Sequence, residues 1–153
     1  IVLFVFWQPL PQSLWSIADP VGAAFLWALF GAGWLIALLS TFLIDHFELF
    51  GLRQVWCHWQ GRSFEPPPFQ KTGLYRIVRH PLMLGILVGF WAIPQMTVGH
   101  LLFAAVNTAY ILLGTVLEER GLTRIHGQAY ADYRREVPML VPGLRLRWGP
   151  SRR

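Results

Sequence analysis

Gly73-Leu-Tyr-Arg-Ile-Val-Arg-His-Pro-Leu-Met-Leu-Gly85 marks the point where a basic, proline-rich loop becomes a long run without charge. Pro81 lacks a backbone N–H and has φ preset near the helical value, so it suits the first position of a helix. The residue before a proline is pushed out of the helical region, which makes His80 the natural N-cap site. The stretch therefore predicts a helix starting at a membrane surface. Its free N–H groups and positive dipole end face the loop beside Arg76 and Arg79, a setting for a carboxylate or phosphate.

Working outward, 37 residues from Pro81 to Leu117 hold no Asp, Glu, Lys or Arg. That is too long for one crossing, and Pro94 and Gly99 divide it into a helical hairpin, Pro81–Ile93 and Gly99–Leu117. The first arm is short for a full crossing. Gly85 and Gly89 form a G-x-x-x-G pair that allows a neighbouring helix or a ligand to come close. Upstream, the 24 residues Val21–Ile44 are also uncharged, enough at 1.5 Å per residue to cross a core of about 30 Å. This helix is expected to continue out of the bilayer to about Trp59. Ile1–Trp7 reads as the tail of an earlier span whose beginning is missing. Downstream, Leu122, Ile125, Tyr130, Tyr133 and Val137 suggest one amphipathic helix on the membrane face, stopped by Pro138 and Pro142.

The whole chain agrees with lipid as its solvent. Of 153 residues, 54% are hydrophobic and only 14% charged, with eight Trp and eleven Phe; soluble domains carry about 25% charged residues. The net charge of +5 is concentrated in 53–79 and 120–153, flanking apolar spans. The positive-inside rule explains this better than nucleic acid does, so no nucleic-acid partner is expected and both basic segments are placed in the cytoplasm. The single Cys57 excludes an intrachain disulfide framework and a cysteine-based metal site, and no metal is expected. The expected fold is all-α: an integral membrane helical bundle made of the tail of one span, one full span and a hairpin, with a cytoplasmic amphipathic C-terminal helix.

Three polar groups converge on the cytoplasmic side of this layout. Asp45, His46, Glu48 and Arg53 follow the long span, where a carboxylate and an imidazole can form a general base pair. Tyr75, Arg76, Arg79 and His80 precede the second helix. Glu118 and Glu119, read as the end of the hairpin, would oppose the helix dipole there and call for an arginine partner or a cationic ligand. They are followed by His126, Tyr130, Tyr133 and Arg134. Such a set suits a zwitterionic ligand, and there is no G-x-G-x-x-G after a strand and no phosphate loop of the Walker type.

The same residues carry a family resemblance. Gly73 to Gly85, then Glu118-Glu119-Arg120, then Gly127-Gln-Ala-Tyr130-Ala-Asp-Tyr133 resembles the isoprenylcysteine carboxyl methyltransferase and phospholipid methyltransferase superfamily over about residues 73–142. Ser40-Thr-Phe-Leu-Ile-Asp-His-Phe-Glu-Leu-Phe-Gly-Leu-Arg-Gln54 looks like its NnrU-like branch, the membrane-bound methanethiol S-methyltransferases. The resemblance implies one membrane-embedded methyltransferase domain over 1–153 with a cofactor-binding core at 73–142. It implies methyl transfer from S-adenosylmethionine to a small volatile thiol, methanethiol, giving dimethyl sulfide. The setting it implies is a bacterial inner membrane, with the site facing the cytoplasm. In this reading His46, oriented by Asp45, is the base and Arg53 steadies the thiolate. Tyr75, Arg79, His80, Gly85, Glu118, Glu119, Tyr130 and Arg134 are the expected cofactor-binding residues. Superfamily members often have Tyr where this chain has Met83, a departure that counts against carrying over a lipid or isoprenoid substrate. Two alternatives remain at this stage. One is a larger thiol, isoprenylcysteine or phospholipid as acceptor. The other is a non-catalytic accessory protein of nitrogen-oxide metabolism, binding haem through His46, His80 or His100.

Overall fold

A computed structural model describes residues 9–43, 51–63 and 72–143. Within them the chain is almost wholly helical. Helix α1 is Pro20–Leu43, α2 is Leu52–Trp59, α3 is Pro81–Trp91, α4 is Val98–His126 and α5 is Gln128–Glu136. A 3₁₀ turn, Gly73–Arg76, precedes α3, and two short strands, β1 Ser13–Ser16 and β2 Gln95–Thr97, complete the described elements. The fold is an all-α membrane bundle, as its composition requires.

Helices α1 and α4 are long and apolar enough to cross a bilayer, yet only 11% and 17% of their most apolar windows are buried within the protein. Val21, Phe25, Leu38 and Phe42 stand well exposed on α1. A core helix of a soluble protein would cover these side chains; here lipid covers them. At 11 residues, α3 is about 16 Å long and cannot span by itself.

The contact between α1 and α3 is backbone on backbone. A Cβ placed on Gly85 would lie 2.5 Å from the Gly33 carbonyl oxygen and 2.6 Å from the Ala37 nitrogen. One on Gly33 would lie 2.7 Å from the Gly85 oxygen and 2.8 Å from the Gly89 nitrogen. The small-residue pair of α3 thus meets a third glycine on α1, the close approach that helices use where no hydrophobic gain separates lipid from protein.

At one end of the bundle β1 and β2 pair antiparallel, with Trp15 opposite Met96 and Ser16 opposite Gln95. Met96 of this ribbon is fully buried. Trp91 Nε1 donates to Thr108 Oγ1 at 2.9 Å, and His100 Nε2 lies 2.8 Å from the Phe90 carbonyl. These contacts join the end of α3 to the start of α4. The opposite end gathers the 3₁₀ turn, the N-terminus of α3, the last turns of α4 and α5; Leu43, closing α1, lies against Gly73 there.

Three expectations change. A helix continuous through to Trp59 is excluded, because Gly51 is left-handed with φ 69° and caps α2 as a separate helix. The hairpin's second arm does not stop at Leu117 but runs nine residues further, to His126. Glu118 and Glu119 therefore sit inside α4, not at its C-terminus. Leaving the hydrocarbon does not end a helix; a conformational break does, and it comes at Gly127, with φ 56° and ψ −128°. The single amphipathic helix expected over 122–137 is accordingly two, the end of α4 and the separate α5. The expected helix tail at Ile1–Trp7 lies outside the described residues.

Candidate functional site

Glu119 organises the polar end of the bundle. It is 4% exposed and sits on the buried stripe of α4 with Ala104, Ile111 and Thr115. One of its oxygens accepts from Arg79 Nε at 2.6 Å and lies 3.3 Å from His80 Nε2; the other is 3.2 Å from Arg134 Nε. Arg79, itself 8% exposed, also donates through Nη1 to the carbonyls of Arg134, at 3.0 Å, and of Val137. Buried charges persist only when paired and hydrogen-bonded, and this carboxylate and its main guanidinium both are.

The backbone closes the same knot. Arg79 N–H donates to the Pro138 carbonyl at 2.9 Å, and His80 N–H to the Met139 carbonyl at 3.1 Å. The stretch leading into α3 is therefore clamped to the segment following α5. Proline at 81 fits the first helical position as expected, and His80 occupies the N-cap, but its side chain makes no cap bond. It turns instead to the glutamates, with Nδ1 3.7 Å from Glu118 Oε2.

Buried tyrosines belong to the same end. Tyr133 donates its hydroxyl to the Tyr75 carbonyl at 2.5 Å. Tyr130 is 1% exposed, and the rings of Tyr130 and Tyr133 meet edge to face at 5.8 Å. Burial pushes the Tyr133 phenol up to about 12, and burial likewise raises those of Tyr75 and Tyr130. All three remain protonated donors at neutral pH.

Glu118 is the open element. Its side chain is 51% exposed, whereas Glu119 beside it is sealed by cations. The two adjacent carboxylates therefore play different parts. Glu119 locks the frame, and Glu118 stands half exposed beside His80.

Of the residues expected at the cofactor, Tyr75, Arg79, His80, Glu118, Glu119, Tyr130 and Arg134 come together at this end. Gly85 is one turn into α3, in the crossing with α1. Arg53 is exposed on α2, beside a groove lined by Leu52, Val55, Trp56 and Trp59. Asp45, His46 and Glu48 lie outside the described residues. Sequence reasoning missed the direct Arg79–Glu119 pairing, because its partners are 40 residues apart. It also missed Thr115, whose hydroxyl is buried without a hydrogen-bond partner among the described residues; a threonine in an apolar helix carries no signal by itself.

Sequence comparison identifies relatives. The chain is 52% identical over 93% of its length to "Methanethiol S-methyltransferase" of Mycobacterium tuberculosis (strain ATCC 25618 / H37Rv), covering 58% of that protein. It is 52% identical over 92% of its length to the protein of the same name from Pseudomonas sp. (strain GM41(2012)), covering 54% of it. "Nurim" of Xenopus laevis is 31% identical over 73% of this chain, with 42% of that protein covered. The chain thus spans little more than half the length of the methyltransferases it matches. No family model and no solved structure matches it.

Proposed function

The chain is a homologue of the methanethiol S-methyltransferases, at 46–52% identity, and we propose that it is the core of a membrane enzyme that methylates methanethiol to dimethyl sulfide. That similarity, running across more than nine-tenths of the chain, is the observation that carries the reading.

We infer S-adenosylmethionine as the methyl donor, bound in the 73–142 region of a single membrane domain. The donor set fits it. Glu118, half exposed and 3.7 Å from the His80 ring, suits the cationic part of the cofactor. The first-turn N–H groups of α3 suit its carboxylate. Tyr75, His80 and Glu118 would touch the cofactor, while Arg79, Glu119, Tyr130 and Arg134 hold those groups in place. Gly85 keeps α3 against α1 so that its N-terminus stays at the site. When bound, S-adenosylmethionine supplies a methyl group on a sulfonium, open to in-line attack by a thiolate.

The protein's own task is then to make and hold that thiolate. A simple alkyl thiol is mostly protonated near neutral pH, so a base or a positive field is needed. We assign the base to His46, with Asp45 orienting it and Arg53 steadying the thiolate. The excess of basic residues in 53–79 and 120–153 supports a cytoplasmic placing of this end, and we infer a bacterial inner membrane as its setting.

Calorimetry and headspace gas chromatography on the purified full-length protein in detergent test this together. S-adenosylmethionine should bind, and dimethyl sulfide should form only when cofactor and methanethiol are both present. His46→Ala should keep cofactor binding and lose most turnover at pH 7. Near-normal turnover in that variant would remove His46 as the base. Binding without product from methanethiol would move the acceptor to a larger thiol or a lipid.

A further inference from the structure

The described helices carry five hydroxyl side chains besides tyrosine, and four of them behave alike. Ser40 donates to the Ile36 carbonyl, Thr41 to Leu38, Thr108 to Ala104 and Thr123 to Glu119, each at 2.7 Å. This is the usual way for Ser and Thr to satisfy themselves inside an apolar helix. Thr115 does not do so. It is 1% exposed and, among the described residues, its Oγ1 has no hydrogen-bond partner. A buried hydroxyl without a partner costs free energy, and each such group calls for an explanation.

Its position supplies one. Thr115 is one turn, about 6 Å, from Glu119 along α4, on the same buried stripe. From the charged cluster it lies toward the ribbon end, that is, toward the membrane interior. A sulfur acceptor arriving from the apolar side would reach this depth before the charges. A thiolate there is costly to hold without a donor, and a neutral hydroxyl gives a hydrogen bond without adding charge.

We propose that Thr115 is a substrate-positioning residue whose hydroxyl donates a hydrogen bond to the sulfur of the thiol acceptor. This rests on the thiol-methylation reading above. The methyl-accepting sulfur sits one turn inside the Glu119 cluster, and the cofactor's charged end remains at Glu118.

The test compares Thr115→Val, which keeps the shape and removes the hydroxyl, with Thr115→Ser, which restores it, in the full-length protein. Melting temperature and S-adenosylmethionine affinity are measured beside KM and kcat for methanethiol. Thr115→Val should raise KM about tenfold or more, leave cofactor affinity within twofold, and melt no lower than the wild type. Thr115→Ser should return KM to within about threefold of the wild-type value. An unchanged KM in Thr115→Val would overturn the proposal and leave the hydroxyl to a structural water. Weakened cofactor binding with unchanged KM for the thiol would overturn it in favour of a cofactor contact. A wild-type protein that makes no dimethyl sulfide would overturn the methylation reading itself, a result separable from either of these.

Discussion

Glu119 faces Arg79, His80 and Arg134 at 2.6, 3.3 and 3.2 Å, so its removal and the removal of its neighbour should read very differently. Glu119→Ala leaves the Arg79 guanidinium buried with its main partner gone, and breaking such a pair costs about 3–5 kcal/mol. Thermal unfolding in detergent should show this as a large fall in melting temperature. Glu118→Gln, at a half-exposed side chain, should shift stability by less than about 0.5 kcal/mol yet weaken S-adenosylmethionine binding roughly tenfold, by calorimetry. Tyr133 gives a pH signature. Its phenol is pushed up to about 12 by burial, against about 10 in an unfolded chain. Between these values the folded state holds more protons than the unfolded one, so stability falls as pH rises through that window and is unaffected below it. Tyr133→Phe should flatten part of that alkaline slope in unfolding titrations; an identical slope would mean that the buried phenol contributes nothing to it. The sequence showed that Arg79, His80, Glu119 and Arg134 converge, because they flank the same apolar hairpin. It could not show which charges neutralise each other, since that depends on side chains brought together by the fold.

Helix α3 illustrates what an element inherits from its neighbours. Its start is set locally by Pro81, and its place in the bundle by Gly85 and Gly89 against Gly33 and Trp34. Gly85→Val would push side-chain atoms into the α1 backbone. Overpacking of this kind costs about 1–3 kcal/mol, and because α3 carries the site's N-terminus, cofactor affinity should fall with stability. Folding assays and calorimetry on the same variant check both; a variant stable as wild type would show that the α1–α3 approach can relax. The long apolar runs made α1 and the hairpin legible from composition alone. The end of α4 was not legible that way. Glu118, Glu119 and Arg120 signal departure from lipid, but they are good helix formers, and the helix continues to the conformational break at Gly127. The β1–β2 ribbon was invisible for the opposite reason, being two short uncharged loop segments that become strands only on meeting.

As a whole the molecule has a quiet end and a chemical end. The ribbon and the His100–Phe90 contact pin the loops at one end, while the charged knot, the tyrosines and Glu118 crowd the other. Two membrane-length helices hold these ends apart, about 36 and 43 Å by their residue counts of 24 and 29. In the proposed reading the charged cofactor binds at the aqueous end and the small apolar thiol deeper in the bundle, one turn inside Glu119. The most direct measurement is a single turnover of the full-length protein in detergent, with S-adenosylmethionine carrying a trideuterated methyl group, methanethiol as acceptor, and mass spectrometry of the headspace. The expected product is dimethyl sulfide three mass units heavier than the unlabelled compound, one equivalent per active site, with a strongly reduced yield from Glu118→Gln at low cofactor concentration. Folded, cofactor-binding protein that releases no labelled dimethyl sulfide would contradict the proposed reading.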